Sequence, residues 1–250
     1  MVLTGTHHEY WSGAMLDGLE QYLAAGGRLM YLAGNGFYWV TELDPERGHT
    51  IEIRRAGPAT RTWDARPGEG HLSTTGAPGG LWRHRGRAPQ RVVGVGFTAQ
   101  GTGPGRPYVQ HPDARTGWAA FALDGIPAGT LIGDHPNLVN GHGAAGFEID
   151  RVDHALGSPW DTVLLATADG FSDAYQHVSE ETLLSDSRQG GPVNPLVRAD
   201  MVLLRHPGGG AVFTPGSIAW CGALSWNGYD NTVSGVTRNV LERFLDPTPL

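Results

Sequence analysis

The chain has 250 residues, 40% of them hydrophobic, with 38 glycines, 17 prolines and a net charge of −7, enough for one domain with a substantial core. The acidic balance without a basic block argues against nucleic acid or an anionic membrane as partner, and no run reaches the roughly 18 apolar residues of a membrane span. All 18 basic residues are arginine, which excludes a Schiff-base lysine, a P-loop lysine and a Ser-Lys dyad, while Cys221 as the single cysteine excludes an intrachain disulfide and any Cys-rich metal site.

Residues 1–42 read as one supersecondary unit. A short β-branched run at 2–4 ends in Gly5 and is followed by the polar residues Thr6, His7, His8 and Glu9. Ser12 is a candidate N-cap, and Met15, Leu16, Leu19, Tyr22 and Leu23 recur at helical spacing before Gly26-Gly27. The apolar run RLMYLA at 28–33 then ends in Gly34-Asn35-Gly36. Strand, helix and strand make a βαβ unit with parallel strands, so the His7/Glu9 loop and the Asn35 loop are expected side by side at one sheet edge, where open α/β sheets bind ligands.

Further on, residues 49–55 read as a strand with Ile51 and Ile53 alternating. Residues 56–90 form a Gly-, Pro-, Arg- and Thr-rich stretch anchored by Trp63 and Trp82. Strands are expected at 92–97, within GFEIDRVD at 146–153, at 161–168 and at 175–180, and a hairpin over 199–205 and 211–213 across PGGG. A terminal helix presents Val233, Val236, Val240, Leu241, Phe244 and Leu245, capped by Asp230 or Asn231 and stopped by Asp246-Pro247. With no repeat and no clear linker, residues 1–250 read as a single α/β domain. Nothing after Met1 reads as a signal sequence, so a cytoplasmic location is expected.

The polar positions admit more than one use. His7 and Glu9, two residues apart, face one side if the strand continues past Gly5. An imidazole and a carboxylate serve equally as metal ligands or as an acid/base pair, whereas the bland readings are a solvated loop or Glu9 capping the helix. Gly34-Asn35-Gly36 is a tight turn whose place after a parallel strand raises a functional reading. Glu148, between Phe147 and Ile149, is either a base raised by burial or a strand-edge partner of Arg151. Cys221 lacks the setting of a nucleophile elbow and reads as structural. Among the other histidines His111, His135, His154 and His177 show no ligand spacing.

The words THHEYWSGAMLDGLEQYLAAGGRLMYLAGNGFYWV, GAAGFEIDR and GGAVFTPGSIAWCGALSWNGYDNTVSGVTRNVLERFL resemble the C-terminal part of the large (beta) subunit of N,N-dimethylformamidases, nearly end to end and least over 56–140. The resemblance implies an open, mostly parallel sheet flanked by helices, like class I glutamine amidotransferases, to which the residues themselves add an antiparallel hairpin and long Gly/Pro-rich loops. Asn35 stands where those enzymes carry a nucleophilic cysteine. It also implies hydrolysis of a small N-substituted formamide at a mononuclear ferric iron held by two tyrosinates and one glutamate. Glu9 matches the metal ligand, His7 its neighbour, Asn35 a residue that bonds water or substrate at the metal, and Glu148 a general base.

In that family the tyrosine ligands lie upstream of the H-x-E word, so they are expected outside this chain. Tyr10, Tyr22, Tyr31 and Tyr38 do not match them by position. A small subunit, an upstream segment of the large subunit, or both are the expected partners, in an oligomer, and the isolated chain is expected to bind iron weakly or not at all and to show little amidase activity. Two other readings are a non-catalytic interaction domain and a thiol hydrolase pairing Cys221 with a histidine such as His177.

Overall fold

The computed structural model describes residues 1–44, 46–57, 64–182 and 187–250; Trp63, expected as an anchor, lies outside them. The first strands are β1 (Val2–Thr6), β2 (Tyr10–Ser12), β3 (Arg28–Ala33), β4 (Trp39–Leu43) and β5 (Ile51–Ile53). The middle of the chain adds β6 (Gly96–Gly101), β7 (Val109–Gln110), β8 (Pro136–Asn137), β9 (Gly141–His142) and β10 (Glu148–Arg151). The last are β11 (Val163–Ala168), β12 (Tyr175–His177), β13 (Ala199–Arg205) and β14 (Ala211–Thr214). The α-helices are α1 (Gly13–Ala24), α2 (Gln90–Val93), α3 (Trp220–Ala223) and α4 (Thr232–Leu245), of which only α1 and α4 exceed about one turn.

The opening unit forms as its sequence dictates. Ser12 Oγ accepts from Met15 N and starts α1, Gly26 takes a positive φ beyond its end, and β1 runs parallel to β3. Leu16, Leu19 and Leu23 are buried, whereas Met15 is exposed. The PGGG hairpin joins β13 and β14 antiparallel, and Asn231 caps α4 by accepting from Ser234 N.

The expected mostly parallel, amidotransferase-like sheet is not what the chain builds. The central sheet has the order β1-β3-β14-β13-β11-β7. Its β1–β3 and β3–β14 pairs are parallel, and its β14–β13, β13–β11 and β11–β7 pairs are antiparallel. Two further three-stranded sheets, β10-β6-β12 and β2-β4-β5, and the β8–β9 pair take the remaining strands. The physical reason is the connections: a parallel neighbour needs a long crossover, usually helical. Between β3 and β14 the described residues offer turns, one-turn helices and Gly/Pro-rich loops, and β7, β11, β13 and β14 pair antiparallel. The segment expected as a strand from Val92 splits into α2 and β6, with Gly94 at φ 81° breaking between them.

Both faces of β3, β13 and β14, three inner strands of the central sheet, are buried, and the alternation along them sorts the side chains. Leu29, Tyr31, Val202, Leu204 and Val212 pack with the α1 leucines. Met30, Leu32, Met201, Leu203 and Phe213 pack with Val233, Val236, Val240 and Phe244 of α4. Among the described residues no helix is long and apolar enough to cross a membrane.

Candidate active site

The site forms where three sheets meet. The loop from β1 to β2 carries His7, His8 and Glu9, the turn after β3 carries Asn35, and β10 carries Glu148 and Asp150. Backbone bonds lock the first two loops together: Phe37 N donates to His8 O at 3.2 Å, and Tyr38 N and Trp39 N both donate to Glu9 O at 2.9 Å. These bonds continue into the parallel β2–β4 pair. Ser12 caps α1, so Glu9 is left to turn inward.

The Gly34-Asn35-Gly36 turn needs both its glycines. A Cβ on Gly34 would lie 2.5 Å from Glu148 O, and one on Gly36 would lie 2.6 Å from the Tyr31 ring and hydroxyl. Asn35 itself adopts φ 50°, a left-handed conformation that asparagine tolerates better than most residues. The turn thereby brings its backbone close against β10.

The four predicted site residues converge. His7 Nε2 is 3.4 Å from Glu9 Oε2, and His7 Nδ1 is 3.3 Å from Glu148 Oε2. Asn35 Nδ2 donates to Glu148 Oε2 at 2.9 Å and to Glu9 Oε2 at 3.3 Å. Asn35 and Glu148 are 3% and 5% exposed, while the His7 ring remains about a third open to solvent. The hydrogen bond with Glu9 and the charge of Glu148, against the opposing effect of burial, raise the His7 pKa above the usual imidazole value, so the doubly protonated ring that can donate to both carboxylates is favoured. His8, next to it, points the other way. It packs edge-on against Trp11, Tyr31 and Phe37, and burial lowers its pKa to about 4.

Glu148 is therefore not the strand-edge partner of Arg151. The Arg151 guanidinium goes instead to Thr98, Asp153 and Glu181. Cys221 Sγ donates to Leu32 O, and burial raises its thiol pKa, the reverse of what an activated nucleophile requires. His177 bonds Glu181, His111 bonds Thr167 and His154 stacks on Trp160.

Sequence reasoning missed Asp150, Tyr31 and Arg55. Asp150 is fully buried and accepts from Asn35 N at 2.8 Å and from Tyr31 Oη at 3.1 Å. Desolvation raises its pKa to about 7. Its place two residues after Glu148, on the same side of β10, was the available signal. Arg55 lies over the Tyr10 and Trp39 rings. With Tyr38, Trp39, Phe97 and Gln100 it lines a narrow cavity that reaches Glu9, Asn35 and Glu148. A cleft of about 240 Å³, lined by Gln100, Thr102, Phe147 and Gln176, also reaches Glu148. A larger cavity beside Arg91, Arg205 and His206 contains none of these residues.

The donor chemistry fits one share of a ferric site and not the whole. Glu9 offers a hard anionic oxygen of the kind Fe³⁺ prefers. Among the described residues, however, no group of three His, Cys, Asp or Glu is arranged to hold a metal ion. Two nearby phenols are committed elsewhere: Tyr38 donates to Glu180, and Tyr31 donates to Asp150 with its pKa pushed well up by burial.

Residues 1–231 match the family described as N,N-dimethylformamidase beta subunit-like, C-terminal. Over its full length the chain is 44% identical to the N,N-dimethylformamidase beta subunit of Paracoccus aminophilus, covering 33% of that protein. It is 43% identical to the beta subunit of the same name from an Alcaligenes species, again over its full length and covering 32% of the relative. The chain thus spans about a third of the length of the curated relatives it matches.

Proposed function

Because the chain belongs to the family formed by the C-terminal region of N,N-dimethylformamidase beta subunits, we propose that it supplies the carboxylate–imidazole half of an amidohydrolase site that cleaves small N-substituted formamides, N,N-dimethylformamide to formate and dimethylamine. The observation that carries this reading is the convergence of His7, Glu9, Asn35 and Glu148 on one another from three sheets. Buried carboxylates bridged by an imidazole and an amide are costly to assemble for stability alone.

A dialkylformamide has no N–H and offers only its carbonyl oxygen and methyl groups to a site. The aromatic walls Tyr38, Trp39 and Phe97 suit the methyls. Glu148 takes a proton from the attacking water and returns it to the amine nitrogen as the C–N bond breaks, which a buried carboxylate beside an imidazolium can do in both directions. His7 stabilises the negative charge of Glu9 and Glu148 before and after that transfer. Asn35 Nδ2 fixes the two carboxylates relative to each other, and its buried Oδ1, which has no hydrogen-bond partner among the described residues, accepts a hydrogen bond from the water. Glu9 would hold a ferric ion, the remaining ligands coming from polypeptide outside these 250 residues. When bound, that ion supplies Lewis acidity toward water and the carbonyl.

The test is release of dimethylamine and formate from dimethylformamide by the chain assembled with the rest of a beta subunit and its small-subunit partner. The proposal requires turnover by the wild type and a loss of at least ~100-fold in Glu148→Gln. Full activity in that variant would reject it.

A further inference from the structure

We infer that Asp150 and Tyr31 are positioning residues that aim Asn35, a role that rests on the reading of Asn35 given above. Asn35 reaches Glu9 and Glu148 only because its backbone is held at φ 50°. Two buried bonds hold that backbone: Asn35 N donates to Asp150 Oδ1 at 2.8 Å, and Gly36 N donates to Tyr31 Oη at 2.6 Å. The same Tyr31 hydroxyl donates to Asp150 Oδ2 at 3.1 Å, so one closed circuit ties both turn amides to a single carboxylate.

The circuit also couples the turn to β10. Glu148 and Asp150 lie two apart on one strand, and Gly34 lets that strand approach to van der Waals contact with the turn. Glu148 is gripped by the Asn35 side chain and Asp150 by the Asn35 backbone, so the two register each other. A register shift between Ile149 and Asp150 in the pairing with β6 accompanies this arrangement. Such bulges re-aim side chains beside functional sites.

The role makes a prediction that charge or bulk alone would not. What Asn35 needs is an acceptor at the Asp150 Oδ1 position, and an asparagine there still provides one. The experiment is ¹⁵N NMR on the full chain, following hydrogen exchange of the Asn35 side-chain amide in wild type, Asp150→Asn, Asp150→Ala and Tyr31→Phe, with thermal melting to confirm folding. Exchange is expected to quicken roughly tenfold or more in Asp150→Ala and in Tyr31→Phe, each of which removes one buried hydrogen bond to a turn amide along with the Tyr31–Asp150 bond, and to stay within about threefold of wild type in Asp150→Asn. Unchanged exchange in a folded Asp150→Ala or Tyr31→Phe chain overturns the inference, as does equal loss in Asp150→Asn and Asp150→Ala. This readout needs no turnover, so an inactive wild type would count against the proposed function and leave the positioning result intact. In an active assembly, the kcat loss of Asp150→Ala should disappear when Asn35→Ala is already present.

Discussion

Asn35 Nδ2 lies 2.9 Å from Glu148 Oε2 and 3.3 Å from Glu9 Oε2, so one neutral amide bridges two carboxylates that are far apart in the chain. An aspartate at this position would set a third acidic group against them and remove both donors. Asn35→Asp is expected to lose roughly 2–4 kcal/mol of stability at pH 8, the cost of a buried, unpaired carboxylate. The loss should shrink at acid pH. Urea unfolding at pH 8 and pH 5 measures it, and equal losses at both would contradict the bridge.

The neighbours His7 and His8 should titrate in opposite directions. His7 is raised by its hydrogen bond with Glu9, so the stability it contributes is present below about pH 6.5 and is lost as pH rises through its folded value. His8 is lowered to about 4 by burial, so protonation of the unfolded chain draws stability away as pH falls from 6.5 toward 4, by up to about 3 kcal/mol. Imidazole NMR titration reads both. The assignment requires the two midpoints to fall on either side of 6.5.

Asp150 titrates in an overlapping window with the sign reversed from His8. Its folded pKa is raised to about 7 by desolvation, above the usual aspartate value near 3.9. The neutral acid is therefore favoured in the fold, and stability falls as pH rises between those values, by up to about 4 kcal/mol. Asp150→Asn removes the titration. Its stability relative to wild type should improve between pH 4 and pH 8, as measured by denaturant midpoints, and a pH-independent difference would mean that Asp150 stays ionised in the fold.

Gly34→Ala tests the close approach of the turn to β10. The added Cβ would meet Glu148 O at 2.5 Å and Ile218 N at 3.0 Å, both backbone atoms that cannot swing aside. The expected cost is about 1–3 kcal/mol. Gly5→Ala, with nothing within 4 Å of its added Cβ, serves as the control and should melt near wild type.

The opening βαβ unit was legible because its signals are local: a capping serine, a leucine stripe and a Gly-Gly stop all act within one helix and its flanking strands. His7, Glu9 and Asn35 were legible for the same reason, since parallel strands place their loops side by side. The sheet order was not. Whether β14 inserts beside β3 depends on pairing residues 211–213 with 28–30, which no local pattern encodes, and the apolar runs of β11 and β13 read alike for parallel or antiparallel neighbours. Asp150 was overlooked because its one sequence signal, the i+2 spacing from Glu148, gains meaning only when its partners, Asn35 N and the Tyr31 hydroxyl, are brought to it from 115 and 119 residues away.

On the proposed function the cluster divides into a cation side at Glu9 and a proton side at His7 and Glu148. The measurement that tests this division most directly is iron content with visible absorption in the assembled protein after loading with Fe³⁺, comparing wild type, Glu9→Ala and Glu148→Gln. Stoichiometric iron in wild type and Glu148→Gln, with its loss in Glu9→Ala, is the predicted result. Iron retained in Glu9→Ala would contradict the division and remove Glu9 from the metal's ligands.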